Sequence, residues 1–501
     1  MNRLFLLFAA FCVFQISSIA QTVKMDSSFS GDGFVRPVSV PGSMYCHPLD
    51  VHPNGDIWLG GFGVNPFGLK VTVFSPGGDS INAVRYHFLS NVGNGAPALK
   101  VDKEGRIVFN NGSSQLWRCL ADGSRDTTFG ESGIAPMPMV LIRELDFNTE
   151  GKIYAAGDYL NSDKVAVLAF TPDGEPDSTF SEDGVYDFQF ELNGTYLFYC
   201  MKVQADGKIL VSGFSYFGGN DRPAILIRLN PDGTLDQTFA DEGILLEYLT
   251  GISEGYSLAV QPDQKILMGG YTLPDYMGTV TRYLPTGQRD PSFGESGVVY
   301  LPQTYEILDV IVQPDGKLLL YAWVPISGNV DGTALVQLLP NGSLDPNFGT
   351  NGIFVSPNTD VEPPMDISMI GNNKVVAMTS KSFFTPNSVT HLMALQQFIL
   401  DFNVGVLQPN TSLDEAQVLL YPNPVSQNIQ LQFELQTPET LDIQLLDLSG
   451  KTLQTVHQHQ LFEAGKQEVS IPVSDALPAG TYLLNISGQG KVMRSVRWVK
   501  G

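Results

Sequence analysis

The residues able to do chemistry are few and scattered. Gly251-Ile252-Ser253-Glu254-Gly255 has the G-x-S-x-G form of a nucleophile elbow. That chemistry needs its serine on a strand–turn–helix corner, and this segment reads as a loop between strands, so Ser253 is taken as a chance match. Six histidines are present. Cys46-His47 and His52 fall on or beside a strand, with no partner constellation around them. His457 and His459 alternate in HQHQ, the pattern of a solvated edge strand rather than of a zinc site. Acid pairs occur at Glu182-Asp183 and Asp241-Glu242, inside a recurring octet whose turn propensity already accounts for them. Calcium at these Asp-rich turns is an alternative to no cofactor at all, but the pattern lacks the dense oxygen spacing of a calcium loop. No phosphate loop, H-E-x-x-H or dinucleotide fingerprint appears, and metal ligands are not predicted.

What the chain does have is repetition. The octet D-x-x-F-x-x-x-G starts at Asp26, Asp126, Asp177, Asp236, Asp290 and Asp345, with degenerate copies at Asp79 and Asp401. Successive starts lie 47 to 59 residues apart. Between them runs a second phrase, seen as VQADGKILVSG, VQPDQKILMGG and VQPDGKLLLYA. A period near 50 signals a repeat architecture. Within residues 243–287, GILLEYL, YSLAVQ, KILMGGY and GTVTRYLP read as four short strands, rich in β-branched and aromatic residues and bounded by Gly, Pro and Asp.

The octet residues are assigned structural roles. Asp126, Asp177, Asp236, Asp290 and Asp345 bond backbone N–H groups of their own turn. Phe129, Phe180, Phe239, Phe293 and Phe348 pack beneath it, and Gly133, Gly184, Gly243, Gly297 and Gly352 close it. Seven four-stranded units without helical periodicity predict an all-β fold, a seven-bladed β-propeller over residues 21–405. The extra octet at Asp26 implies that the strand near residues 34–40 pairs with the last unit and closes the ring.

These two phrases resemble the delta-60 repeats of secreted bacterial proteins, and their rhythm is similar to NHL-type propeller blades. The resemblance covers residues 26–405 and implies that the strand before each P-D-G-K turn lines a central channel. Uniform P-D-G turns then gather at one end and irregular loops at the other. Binding resides more often in such variable loops over a rigid ring than in uniform turns. Tyr216, Phe217, Asp221, Arg222, Tyr276, Trp323 and Asp331 are the candidates there, against the alternative that the aromatics only pack their own loops.

After a linker at 406–417 the composition changes. Residues 418–501 carry seven short runs at even spacing, from VLLYPNP to KVMRSVRWV, which predict a small antiparallel, Ig-like sandwich. Tyr421-Pro422-Asn423-Pro424, Asp447-Leu448-Ser449-Gly450, Leu477-Pro478-Ala479-Gly480-Thr481-Tyr482 and the basic close Lys491, Arg494 and Lys500 resemble a type IX secretion C-terminal sorting domain of type A. The resemblance implies an outer-membrane translocon as partner, removal by a sortase-like peptidase, and release from or anchoring to the surface of a Gram-negative bacterium.

Bulk properties agree with export. Residues 1–20 read as a signal peptide, with Arg3, an apolar run from Leu4 to Val13 and the small-x-small close Ser18-Ile19-Ala20. No later run is long enough for a transmembrane segment. Residues 26–405 hold 43 acidic and 21 basic side chains, so the body repels nucleic acid and anionic membranes. Cys46, Cys119 and Cys200 form no disulfide framework and read as free thiols. The sequence thus predicts a secreted or surface-attached propeller acting as a non-catalytic binding module for a glycan or protein ligand. The alternatives are a secreted hydrolase or lyase and a purely structural surface component.

Overall fold

The computed structural model describes residues 20–38, 49–64, 67–87, 98–110, 115–138, 140–159, 164–188, 195–217, 222–249, 252–327, 330–357, 364–371, 373–385, 388–403, 419–421, 428–435, 438–446, 452–474, 477–478, 480–488 and 491–500. The described residues are all-β, without a helix. The chain divides into two compact units, Thr22–Asp401 and a second containing Phe402–Gly501.

The first unit holds seven successive antiparallel sheets, spanning 49–87, 99–136, 140–188, 195–247, 253–301, 306–355 and 364–403. The first strand of each sheet lies against the first strand of the next, all the way round from 364–370 through 49–51 to 306–312. This ring of inner strands is a β-propeller. It closes where Ala20–Met25 and Phe34–Val38 join the last sheet, with Phe34 opposite Gln396 and Val35 opposite Leu395.

The structure corrects the frame of the repeat. The strand Ile244–Glu247 pairs with Ala224–Leu229, so the run after each octet is the outermost strand of the preceding sheet, not the first strand of the next unit. The octets at Asp126, Asp177, Asp236, Asp290 and Asp345 are therefore corners between the third and fourth strands of one sheet. The copy at Asp79 is not such a corner. There Phe67–Phe74 turns directly into Ser80–His87, because the segment has neither the Phe nor the second glycine that widens the turn.

Chemistry explains why the octet recurs. The Asp236 Oδ1 accepts from the Thr238 backbone N–H at 3.0 Å and from its hydroxyl at 2.6 Å. Its Oδ2 accepts from the Lys208 ammonium and the Arg228 guanidinium, each at 2.7 Å. Lys208 is the lysine of the VQADGK phrase, so one ion pair joins the two halves of the repeat. Lys152–Asp177 at 2.7 Å, Lys265–Asp290 at 3.2 Å, Lys317–Asp345 at 2.8 Å and Lys374–Asp26 at 2.5 Å repeat it. The last pair shows why the extra N-terminal octet is needed: it supplies the seventh sheet with a complete octet, whereas the copy at Asp401 has lost its Phe and closing Gly. Asp126 takes Arg118 instead. Each of these carboxylates therefore already faces a protein cation, where the calcium alternative would need free oxygens.

The octet also ties sheets together. Phe29, Phe129, Phe180, Phe239, Phe293 and Phe348 are all 0% exposed. The residue after the Phe donates its N–H into the next sheet's turn, as from Ala240 to the Thr286 carbonyl at 2.8 Å and from Ser181 to that of Asp232 at 2.8 Å. A Cβ on Gly287 would meet the Phe239 ring at 3.0 Å, so glycine is what lets that turn lie on its neighbour's aromatic ring. Arg228 covers the other side of Phe239, 4.4 Å from the ring centre, and donates to the Pro285 carbonyl at 2.6 Å.

The second unit has two sheets, one of Leu419–Tyr421, Asn428–Leu435 and Gly465–Pro472, the other of Glu439–Leu446, Thr452–Phe462, Gly480–Gly488 and Lys491–Lys500. Alternate residues of both, including Ile429, Leu431, Ile443, Leu484 and Trp498, fill one core. Lys500 folds back to donate to the carbonyls of Ser474 at 2.8 Å and Leu477 at 2.6 Å, and the Tyr482 hydroxyl donates to that of Pro478 at 2.7 Å. Gly480 lies opposite Lys500 in the ladder. Pro422, Asn423, Pro424 and Gly450 lie outside the described residues, as do residues 1–19 and Cys46, and of Tyr421 only the backbone is described. Thr452–Phe462, which carries His457 and His459, is an edge strand.

Burial alone would raise the octet carboxyls, but hydrogen bonds from lysine and hydroxyl outweigh it and hold Asp26, Asp177, Asp236 and Asp290 below their ordinary value. A depressed folded value means their contribution is full above about pH 4 and fades as pH falls below that. Replacing Asp26 by Ala removes the ion pair of Lys374, which is partly exposed and still reaches Gln397, and should destabilise the ring by about 1–2 kcal/mol, with faster amide exchange in Phe34–Val38 and its partner strand. Asp122→Ala, at an exposed turn, should leave the unfolding midpoint unchanged. Denaturant titration with hydrogen exchange measures both.

Candidate functional site

In an antiparallel sheet the first-to-second and third-to-fourth connections share one end. The P-D-G turns and the octets therefore sit together, and the second-to-third loops gather at the other end. Tyr216, Arg222, Tyr276, Trp323 and Asp331 all fall at that loop end, at the close of a second strand or the start of a third. Asp221 lies outside the described residues.

The inner strands bulge, with register shifts between Phe198 and Cys200, Gly255 and Ser257, and Ile307 and Asp309. A bulge gives one strand an extra residue and re-aims side chains. Here Tyr199, Tyr256 and Leu308 are the extra residues and join one buried cluster between sheets, while Cys200 and Asp309 turn into the channel.

Tyr199 and Tyr256 thereby belong to a run of seven rings across three sheets. Phe214 and Tyr199 have centroids 5.7 Å apart, Tyr199 and Tyr256 4.9 Å, Tyr256 and Tyr271 5.7 Å, and Tyr271 and Tyr276 5.3 Å. Tyr276 and Tyr305 stack at 5.3 Å, and Tyr305 meets Trp323 edge-on at 5.6 Å. Tyr276 holds a left-handed backbone, φ 48°, unusual for a bulky residue. Its hydroxyl donates to Glu306 at 2.6 Å, which holds the ring in place.

Two carboxylates are set into this arc. Glu254, 5% exposed, accepts from the Arg222 guanidinium, from the Tyr256 hydroxyl at 3.0 Å and from Tyr271. Arg222 itself lies 4.4 Å from the Phe214 ring centre and 5.9 Å from that of Tyr216. Glu306 stands directly opposite Trp323 in the ladder. Burial, helped by the nearby charge of Glu254 and opposed by the Tyr276 hydrogen bond, pushes its carboxyl up to about 7. Tyr305 bonds Asp331.

The sequence-derived candidates meet this arc unevenly. Arg222, Tyr276, Trp323 and Asp331 belong to it. Tyr216, 40% exposed, flanks Arg222, whereas Phe217 packs on Tyr196 at 6.0 Å within the neighbouring core. Glu254, Glu306, Tyr199, Tyr256, Tyr271 and Tyr305 escaped the sequence reading. A signal existed, because Glu254 and Glu306 each stand 11 residues before the repeat lysine, at Lys265 and Lys317. Ser253 is corrected as well. It is not in a loop but is the 1%-exposed first residue of the strand Ser253–Val260.

The channel is lined differently. A cavity of about 250 Å³ is bordered by Asp50, Lys100, Glu144, Cys200, Lys202, Asp309 and Asp366. These charges largely serve the ring. Asp50 accepts from the Val101 N–H at 2.9 Å, Asp146 from that of Val203 at 2.8 Å and Asp309 from that of Ile367 at 3.3 Å, each in the next sheet. Desolvation opposes the charge on Lys202, yet Glu144, Asp146 and Asp309 hold its ammonium well above the usual range. Burial pushes the Cys200 thiol up, away from the thiolate form that reactive cysteines use, and Cys119 and Cys200 are both buried and outside any disulfide. Among the described residues no group of His, Cys, Asp and Glu has the geometry of a metal site.

Residues 151–180, 204–239 and 313–348 match a β-propeller family described as a domain of unknown function, and residues 419–499 match the secretion system C-terminal sorting domain. The chain is an exported β-propeller. Its sorting domain addresses it to the type IX machinery and to the cell surface or extracellular space of a Gram-negative bacterium. No curated protein matches the propeller's sequence significantly. Similar solved structures include a mitotic checkpoint complex at 10% identity, TM-score 0.47, covering 79% of this chain and 98% of that one. A pyrroloquinoline-quinone-bound aldose sugar dehydrogenase of Streptomyces coelicolor is similar at 11%, TM-score 0.39, covering 76% and 99%. The propeller domain of the trilobed protease of Pyrococcus furiosus is similar at 12%, TM-score 0.37, covering 74% and 98%. Likenesses this loose assign no function. No helix among the described residues is long and apolar enough to cross a membrane.

A carboxyl raised from 4.5 to about 7 binds its proton more tightly in the folded state. Its contribution to stability is therefore full below the ordinary value and is lost as pH rises through about 7. Carbon-detected NMR of the propeller should show one glutamate titrating near neutrality, absent in Glu306→Gln.

Proposed function

We propose that the exported propeller is a non-catalytic binding module whose ligand sits on the aromatic and carboxylate arc of the loop end. The observation that carries this reading is the seven-ring run with its built-in Glu254 and Glu306. Half-exposed Tyr276, Tyr305 and Trp323 rim it, and amphipathic rings with oriented polar partners suit recognition of another molecule. The ring's own stability is provided at the opposite end by the octets, so the loop end is free to serve a ligand.

The domain division 21–405, 406–417 and 418–501 belongs to the same proposal. A signal peptide at 1–20 opens the export route, the translocon reads the tail, and a sortase-like peptidase removes it, leaving the propeller released or anchored. Mass spectrometry of the exported protein should find peptides up to residue 405 and none from 419–499. Deleting 419–499 should hold the propeller inside the cell envelope.

A second reading rests on Glu306. A carboxyl near neutrality beside Glu254 has the proton affinity of a general acid or base, as a secreted hydrolase or lyase requires. The two readings separate experimentally. Screened as the full chain on peptide and glycan arrays, a binding module gives selective retention that falls at least about thirtyfold in Trp323→Ala or Tyr305→Ala. An enzyme gives turnover that falls about a hundredfold or more in Glu306→Gln. Turnover without retention would overturn the binding reading.

A further inference from the structure

Resting on that reading, we propose that the Tyr276–Tyr305–Trp323 half of the arc binds an organic cation, the ammonium or guanidinium of a basic side chain on a partner protein. The structure contains an internal version of this recognition one sheet away. Arg222 starts the third strand of its sheet, lies on Phe214 and Tyr216, and reaches across to the carboxylate of Glu254 at the head of the next inner strand. A guanidinium between aromatic rings and a carboxylate is a cation–π site with its cation already in place.

The repeat then offers a related site again without its internal cation. Counting back six residues from Arg228 and Arg282, which pair with the octet aspartates, gives Arg222 and Tyr276. The position that holds the guanidinium over Glu254 thus holds a phenol over Glu306. The carboxylate and its aromatic surroundings recur, although the bulge residue Tyr256, which donates to Glu254, becomes Leu308. Glu306 stands where Glu254 stands, 11 residues ahead of the repeat lysine, and aromatic rings surround it. The buried indole N–H of Trp323, opposite Glu306, has no acceptor among the described residues. Where the Arg222 guanidinium satisfies Glu254, the Tyr276 hydroxyl takes that place at Glu306 among the described residues, and the pair is a carboxyl, aromatic box of the kind that takes a cation from outside. Asp331, bonded by Tyr305, adds a second acid at the rim. The chain's formal charge of −23 draws cations toward it over longer range.

Charge on Glu306 is what the ligand would read, and the groups facing it are Glu254, Tyr276 and, beyond them, Tyr256, Tyr271 and Arg222. Burial pushes the phenols of Tyr256 and Tyr271 up, away from the range in which Glu306 ionises. Ionisation near neutrality makes binding weaker in acid, by about tenfold between pH 8 and pH 6.

The test is calorimetric titration of the full chain with Nα-acetyl-lysine amide, Nα-acetyl-arginine amide and their neutral isostere Nα-acetyl-norleucine amide, at pH 6 and pH 8. The expected result is binding of a cationic probe, about tenfold tighter at pH 8, and no binding of norleucine. Glu306→Gln, nearly isosteric, should lose both the binding and its pH dependence. As a second variant, Arg222→Ala should gain a second site that takes methylguanidinium. Norleucine binding as well as lysine, or pH-dependent binding retained in Glu306→Gln, would overturn the proposal. A lysine-bearing hexapeptide binding more tightly than the single amide supports a protein source; equal affinity assigns the site to a free amine and overturns the protein-partner part. If no cation binds but arrays still give retention lost in Trp323→Ala, the cation falls and the binding module stands. Silence in both overturns both.

Discussion

One ion pair holds most of the repeat together: the aspartate that opens the octet and the lysine that follows the inner-strand turn, at Asp26, Asp177, Asp236, Asp290 and Asp345. Asp236 and Lys208 are 28 residues apart in sequence and 2.7 Å apart in space. A buried carboxylate left alone would be costly, so it is matched by a cation, a hydroxyl and a backbone N–H at once. The phenylalanine three residues on is fixed by the same turn, and it becomes the surface on which the next sheet's glycine turn rests. Sheet order, spacing and closure follow from this unit, including the use of Asp26 to complete the last sheet.

Because that unit occupies one end of each sheet, the opposite end is released from structural duty. The aromatic arc there is not periodic. It spans three sheets, and the residue at the start of the third strand changes from Arg222 to Tyr276 to Asp331 as the repeat advances. A scaffold position would be expected to keep its residue type, as the octet Phe does. Variation at a fixed place on a constant frame is how a repeat protein acquires a local site.

Most of the frame was legible in the sequence because its signals are local. D-x-x-F-x-x-x-G is a complete turn with its own acceptor, core residue and left-handed glycine, and it could be read without knowing its partners. The unit boundary was read one strand out of place because the strand after the octet pairs backwards, a fact of tertiary pairing rather than of turn chemistry. The site was only half legible. Arg222 and Trp323 stand out near the ends of strands, but Glu254 and Glu306 are single acids at strand heads and resemble any solvated strand end. Their meaning comes from the inner-strand bulge, which brings Tyr256 beside Glu254, and no local pattern announces that bulge. Ser253 misled for the same reason, since a motif was visible and its strand was not.

The measurement that tests the account most directly is a double-mutant cycle on Lys317 and Asp345, the best buried of these pairs that has no arginine to share the load. The stabilities of wild type, Lys317→Met, Asp345→Asn and the double variant would be compared by denaturant unfolding. If the pair couples the two halves of the repeat, the double variant is less damaged than the single losses combined, with a coupling energy of about 2 kcal/mol. Additivity within about 0.5 kcal/mol would mean that Lys317 and Asp345 act independently, and that the ring is held by packing alone.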